Sequence, residues 1–208
     1  MRPLTTPWRI QEFVIGLGAN FEEGGDTLRS VRGVLRHGRA HCIEAAFTAA
    51  CALWLHGDPP LLMDLVARGD SDHVIAIFRR NGCWGAISKS NHVWLRWRDP
   101  VYRSPRELAM SYFHEYTNRR DHKTLREYSL PYDLRRLDPG LWVSGEKNAW
   151  KVADELDALR HFKLVNGRHL RAVSRRHPFE RRAALLLQYR RPRALVEKLE
   201  RVKKKRKK

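Results

Sequence analysis

The chain is short of cysteine, of long apolar runs and, toward its end, of acidic residues, and each shortage removes a class of protein. It has three cysteines, Cys42, Cys51 and Cys83, an odd number with no C-x-x-C pair. Neither a disulfide framework nor a cysteine-built zinc site is expected, and a reducing cytoplasm fits this usage best. No stretch approaches the roughly 20 apolar residues of a spanning helix. The start, Met1-Arg2-Pro3-Leu4-Thr5-Thr6-Pro7-Trp8, has no apolar core of signal-peptide length. A soluble protein without a membrane span is expected.

The scarcity of acids is local. Residues 1–167 hold 24 Lys/Arg against 20 Asp/Glu, whereas residues 168–208 hold 17 against 3. The formal charge of +18 is therefore concentrated in the last 41 residues, and any contact with a polyanion belongs there. Length allows one main core. We divide the chain into a domain over 1–167 and a basic helical appendage over 168–208, ending in Lys203-Lys204-Lys205-Arg206-Lys207-Lys208.

Along the chain, Trp8 to Gly16 alternates irregularly, and an acidic loop through Phe21-Glu22-Glu23 follows. Asp26 is placed to cap a helix over Thr27–His37. Gly38-Arg39-Ala40-His41 then leads into Cys42 and a nearly all-apolar helix to Leu55, which must be central. His56-Gly57-Asp58-Pro59-Pro60 stops it, and a strand runs from Leu61 to Ala67. Apolar runs at 73–78 and 83–88 flank Asn81-Gly82, the strongest short hairpin signal. A two-residue turn there pairs Arg80 with Cys83, sets Ile75 opposite Ser88, and points His73, Ser88 and Ser90 to one side of the sheet. Residues 91–97 extend the sheet. Ser104, Pro105 and Glu107 open a helix to Tyr116; residues 128–134 hold a short extended piece, and further helices are expected over 146–159, 178–189 and 194–202.

Cys42 draws attention because a cysteine in the first turn of a helix meets unsatisfied N–H groups and the positive end of the helix dipole, which favour a thiolate. The same position suits a buried structural cysteine. His37, His41 and His56 fall on different elements without a partner at metal spacing, so no metal or other cofactor is expected. Aromatics from Trp94 to Tyr116, interleaved with Arg96, Arg98 and Arg103, suit either base stacking or a core.

Gly38-Arg39-Ala40-His41-Cys42 with its small-residue helix, Leu55-His56-Gly57-Asp58-Pro59-Pro60, Asp72-His73-Val74 and Gly82-Cys83-Trp84 together resemble the transglutaminase-like superfamily, related to papain, over roughly residues 27–105. The resemblance implies an α+β fold in which the cysteine helix packs on a small antiparallel sheet. It makes Cys42 the nucleophile and His73 the general base and acid. At the position of the family's aspartate stands Ser88, with Asn91 close behind; either can orient an imidazole by a hydrogen bond, as asparagine does in papain-like enzymes. Asp64 and Asp72 are nearby substitutes. The implied chemistry is acyl transfer from a peptide or protein amide to water or to an amine. The alternative is a catalytically weakened binding module of the same fold, whose residues 201–208 contact nucleic acid or another polyanion.

Overall fold

The computed structural model describes residues 1–190, 192, 193 and 196. The elements run in the order α1 (Pro7–Gly16), β1 (Gly18–Ala19), α2 (Val31–His37), β2 (Arg39–Ala40), α3 (Cys42–Leu55), β3 (Leu61–Ala67), β4 (His73–Arg80), β5 (Cys83–Ile87) and β6 (Arg98–Tyr102). Then come α4 (Pro105–Met110), β7 (Leu125–Ser129), β8 (Tyr132–Asp133), α5 (Pro139–Trp142), α6 (Trp150–Asp157), β9 (His161–Lys163), α7 (Gly167–Arg171) and α8 (Pro178–Ala184). The fold is mixed α+β. Among the described residues no helix is long and apolar enough to cross a membrane.

The main sheet is antiparallel in the order β6-β5-β4-β3-β7-β9, and β8 continues the β7 edge against β3 after the chain passes Leu130-Pro131. Its central strands are buried on both faces because a separate core covers each. Val74, Ala76 and Phe78 of β4 join α1, α2 and α3 in one core, whereas Ile75 and Ile77 join Leu108, Tyr112 and Tyr116 in the other. Continuous apolar runs at β3 and β4 are the sequence trace of this two-sided cover. The β4–β5 hairpin turns at Asn81 and Gly82, both with positive φ (52° and 80°), as a two-residue primed turn requires. Its register, from Arg80 opposite Cys83 to Ala76 opposite Ile87, is the expected one. Gly85 faces Phe78, and a Cβ there would lie 2.6 Å from the Phe78 ring and 2.9 Å from the Arg98 carbonyl, so only glycine lets the ring and β6 approach.

Several boundaries differ from those expected. Pro7–Gly16 is a helix, capped by the Thr6 hydroxyl; its pattern was obscured because buried Gln11 stands where the periodicity calls for an apolar residue. Helix α2 begins at Ser30 instead of Asp26, because Thr27 and Arg29 are drawn out to bond Glu44. Helix α4 stops at Met110, where the Ser111 hydroxyl takes the Leu108 carbonyl and Arg98 holds Ser111; tighter turns carry Tyr112, Phe113 and Tyr116 into the second core. Helix α6 starts at Trp150 because Asn148 and Ala149 pair with the Leu28 backbone. Residues 91–97 form no strand, and Arg98–Tyr102 takes that edge.

The appendage packs back on the domain. Arg176 donates to Asp121 at 2.9 Å, and Arg181 shares the same carboxylate. Helix α8 ends at Ala184, five residues short of expectation, because Leu187 bridges to His92, the Gln188 N–H bonds the Asn91 carbonyl and Tyr189 is held by the Asn91 side chain. Leu185, Leu186 and Leu187 are consequently exposed. The expected helix over 194–202, apart from Val196, and the polybasic run 201–208 lie outside the described residues.

Candidate functional site

The site starts with a change of direction. Gly38 ends α2 in the left-handed conformation (φ 63°), a region open to glycine without strain, and two residues of β2 later the chain enters α3 at Cys42. Every residue of α3 from Ile43 to Leu53 is buried. The helix is further fixed by Trp142, whose ring stacks on Trp54 and meets Phe47 edge-on. Cys42, half-buried at the first helical position, is thus presented by a rigid element.

His73 opens β4 and is buried, and its ring acts on the Cys42 thiol so as to favour the thiolate. Its Nε2 lies 2.6 Å from Ser88 Oγ, just beyond the end of β5. Proton counting fixes this pair. The Ser88 hydroxyl has one proton and donates it to the Leu95 carbonyl at 3.0 Å, so toward His73 it accepts, and Nε2 carries the hydrogen. In the neutral ring Nδ1 is then an acceptor, available to the sulfur. Ser88 is itself held by buried Gln11, whose amide bonds both the Ser88 carbonyl (2.9 Å) and N–H (2.8 Å).

On its other neighbour, Cys42 meets His41. The His41 Nε2 donates to the Thr27 carbonyl at 2.9 Å and lies 3.5 Å from Glu44 and 3.6 Å from Glu22. Glu44 has no exposed surface, yet its carboxylate accepts from Asn20 Nδ2, the Thr27 hydroxyl and the backbone N–H groups of Arg29 and His41, at 2.9–3.1 Å. It ties the 20–29 loop to the start of α3 and places a full negative charge at the favourable end of the helix dipole. Burial opposes a charge on Cys42, but hydrogen bonds from His41 and His73 and their positive field prevail and lower the thiol to about 5. Burial likewise disfavours a charged His41; its hydrogen bond and ion pairing with Cys42, with Glu44 and the Thr27 carbonyl behind, raise it to about 9. Cys51, in mid-helix, is pushed up to about 11 by burial.

The structure thus brings Cys42, His73 and Ser88 together and sets Asn91 apart. The Asn91 side chain is spent on the Tyr189 backbone, donating to its carbonyl at 3.0 Å and accepting from its N–H at 2.8 Å. Asp64 pairs with His161, and Asp72 bonds the Ala67 N–H in the β3–β4 turn, so neither is bonded to His73. Among the described residues, His37, His41 and His56 belong to no group of three or more side chains placed for a metal ion. The aromatic and arginine cluster divides: Tyr112, Phe113 and Tyr116 are buried, whereas Trp94 and Arg103 are exposed. Trp97 stacks on Phe78, and Arg98 lies 4.0 Å from the Tyr112 ring centre while bonding Ser111 and Glu115. Gln11 and Glu44 carry roles that the residue pattern did not reveal; for Glu44 an acid at the third helical position before an apolar run was the available signal. Neither any family model nor any curated protein matches this sequence.

Proposed function

We propose that the chain is a thiol-dependent acyl-transfer or amide-hydrolysing protein with a transglutaminase-like, papain-related core, acting on a peptide or protein amide through Cys42, His73 and Ser88. The observation that carries this reading is the chain of contacts from the Cys42 thiol through His73 to Ser88, which starts at a helix N-terminus. The thiolate attacks the amide carbon, and the resulting oxyanion is met by N–H groups of the first turn of α3. Protonated His73 gives its Nδ1 proton to the departing amine as the C–N bond breaks, leaving a thioester on Cys42. His73 then takes a proton from water or an acceptor amine, which attacks the thioester and restores the thiolate. Ser88 keeps the ring oriented for both transfers.

The test is selective acylation. Incubation with an activated ester, followed by intact-mass and peptide analysis, is expected to show a thioester on Cys42 and none on Cys51 or Cys83. His73→Ala should abolish it. Iodoacetamide is expected to label Cys42 fastest, with a rate that has levelled off by neutral pH. Equal, slow labelling of all three cysteines with no thioester would sink the proposal.

A further inference from the structure

We infer that His41 is a second positioning residue for the Cys42 sulfur: it supplies the standing positive charge that holds the thiolate, with Glu44 and Glu22 as its counter-charges, and so leaves His73 free to give up and take back a proton during turnover. The inference deepens the proposed function and rests on that reading for its catalytic meaning.

Two imidazoles, those of His73 and His41, favour the thiolate of one sulfur. They are backed differently. Behind His73 stands a neutral hydroxyl whose single proton is committed to the Leu95 carbonyl. A hydroxyl accepting one hydrogen bond orients a ring but adds little to the stability of an imidazolium. Behind His41 stand the Thr27 carbonyl at 2.9 Å, the fully buried Glu44 carboxylate at 3.5 Å and the Glu22 carboxylate at 3.6 Å. The carbonyl has no proton to give, so Nε2 of His41 must carry one, and the field of two carboxylates favours the charged ring. The carboxylate missing from behind His73 is therefore found behind the other histidine. Tyr116 also feels the sulfur; its phenol is raised by burial and by the acidic groups and sulfur around it, and so stays uncharged.

A division of labour follows. A histidine that must carry a permanent charge to hold a thiolate is a poor proton shuttle, because each transfer removes the charge that the sulfur needs. Two histidines remove the conflict. Wild-type Cys42, lowered to about 5, and His41, raised to about 9, form an ion pair over the pH range between them. His73 stays free to accept and release the proton during turnover.

The competing role for His41 is structural: as the residue before the first helical position, its ring can serve the N–H of Glu44 as a helix cap. His41→Asn separates the two, since asparagine caps a helix well but carries no charge. The measurement is the pH profile of Cys42 alkylation by iodoacetamide, with the melting temperature as a check on folding. The expected result for H41N is an apparent thiol pKa raised by about one unit or more, a tenfold or greater loss of thiolate at mildly acidic pH, with folding retained. A folded H41N with an unmoved profile would overturn the inference and leave His41 a cap. Should H41N fold poorly, nitrogen NMR of the wild-type ring decides: protonation of both nitrogens past pH 8 supports the charge, and a neutral ring at pH 7 overturns it. Neither readout needs a substrate. A shifted profile without any acyl-enzyme therefore counts against the proposed function alone, whereas an acyl-enzyme with an unmoved H41N profile counts against this inference alone.

Discussion

Gln11 holds Ser88 by both of its backbone polar groups, donating to the carbonyl at 2.9 Å and accepting from the N–H at 2.8 Å. It does for Ser88 what a neighbouring strand would do, at the point where the ladder between β4 and β5 has ended. Gln11→Ala leaves two buried groups without partners, each costing about 1–3 kcal/mol. The expected outcome is a loss of roughly 2–6 kcal/mol in urea unfolding, together with slower acylation of Cys42, since Ser88 loses its anchor. A Gln11→Ala protein with unchanged stability and rate would show the clamp to be idle.

The Leu95 carbonyl explains why serine, rather than an acid, stands behind His73. Ser88 Oγ donates to that carbonyl at 3.0 Å while accepting from His73 at 2.6 Å, and an ionised carboxylate has no proton for the first of these bonds. Ser88→Asp is therefore expected to lose stability at neutral pH and recover part of it in acid, where a protonated acid donates again. Ser88→Asn retains one donor and one acceptor and is expected to keep more activity than either Ser88→Asp or Ser88→Ala. For Ser88→Ala, a drop in acylation rate of about tenfold or more is expected, from an imidazole that has lost its orienting bond. Acylation kinetics across the three variants check the order, and a fully active Ser88→Asp would refute it.

Glu44 is wholly buried and accepts four hydrogen bonds from the 20–29 loop and the start of α3. Glu44→Gln is nearly isosteric but turns an amide N–H₂ toward donors, so at least one bond becomes a clash of donors. Breaking charge-assisted bonds of this kind costs about 1.5–3 kcal/mol each. The expected signs are a lowered melting temperature and faster hydrogen exchange in residues 20–29, with the sheet unchanged. Uniform exchange rates in the variant and wild type would deny the loop its dependence on this carboxylate.

The parts of this architecture that were readable from residues are those where local chemistry decides. The Cys42–Leu55 helix, the Leu61–Ala67 strand and the hairpin at Asn81-Gly82 each follow from periodicity, a stop signal or a turn dipeptide. The hairpin register alone put His73 and Ser88 on one side, and they bond there. What escaped is what depends on contacts across long stretches of chain. Gln11 looks like a surface residue until Ser88, 77 positions later, is seen against it. Thr27 and Arg29 belong to a helix by composition, but the buried charge of Glu44 draws them out. Asn91 sat plausibly close to Ser88 in sequence, and only the return of the chain at Tyr189 shows where its amide is used.

Asp64 offers a stability test away from the sulfur. It is buried in β3, with Nε2 of His161 3.1 Å from its carboxylate and the Asp64 N–H bonded to Ser129 Oγ. Burial raises its carboxyl from 3.8 to about 6, against the opposing effect of the His161 hydrogen bond. Because the folded value exceeds the unfolded one, the folded protein holds this proton more tightly. The associated stability is fully present below about pH 4 and is lost as pH rises through about 6. At pH 7 the ionised, buried group costs at most about 3 kcal/mol. Asp64→Asn removes the ionisation and keeps an amide that can pair with His161 Nε2 as donor or acceptor, so the variant is expected to be more stable than wild type at pH 7 and to lose that advantage by pH 4. Urea midpoints measured across this interval read the difference directly. An advantage that does not change with pH would mean that the carboxyl ionises in the fold as easily as in the unfolded chain.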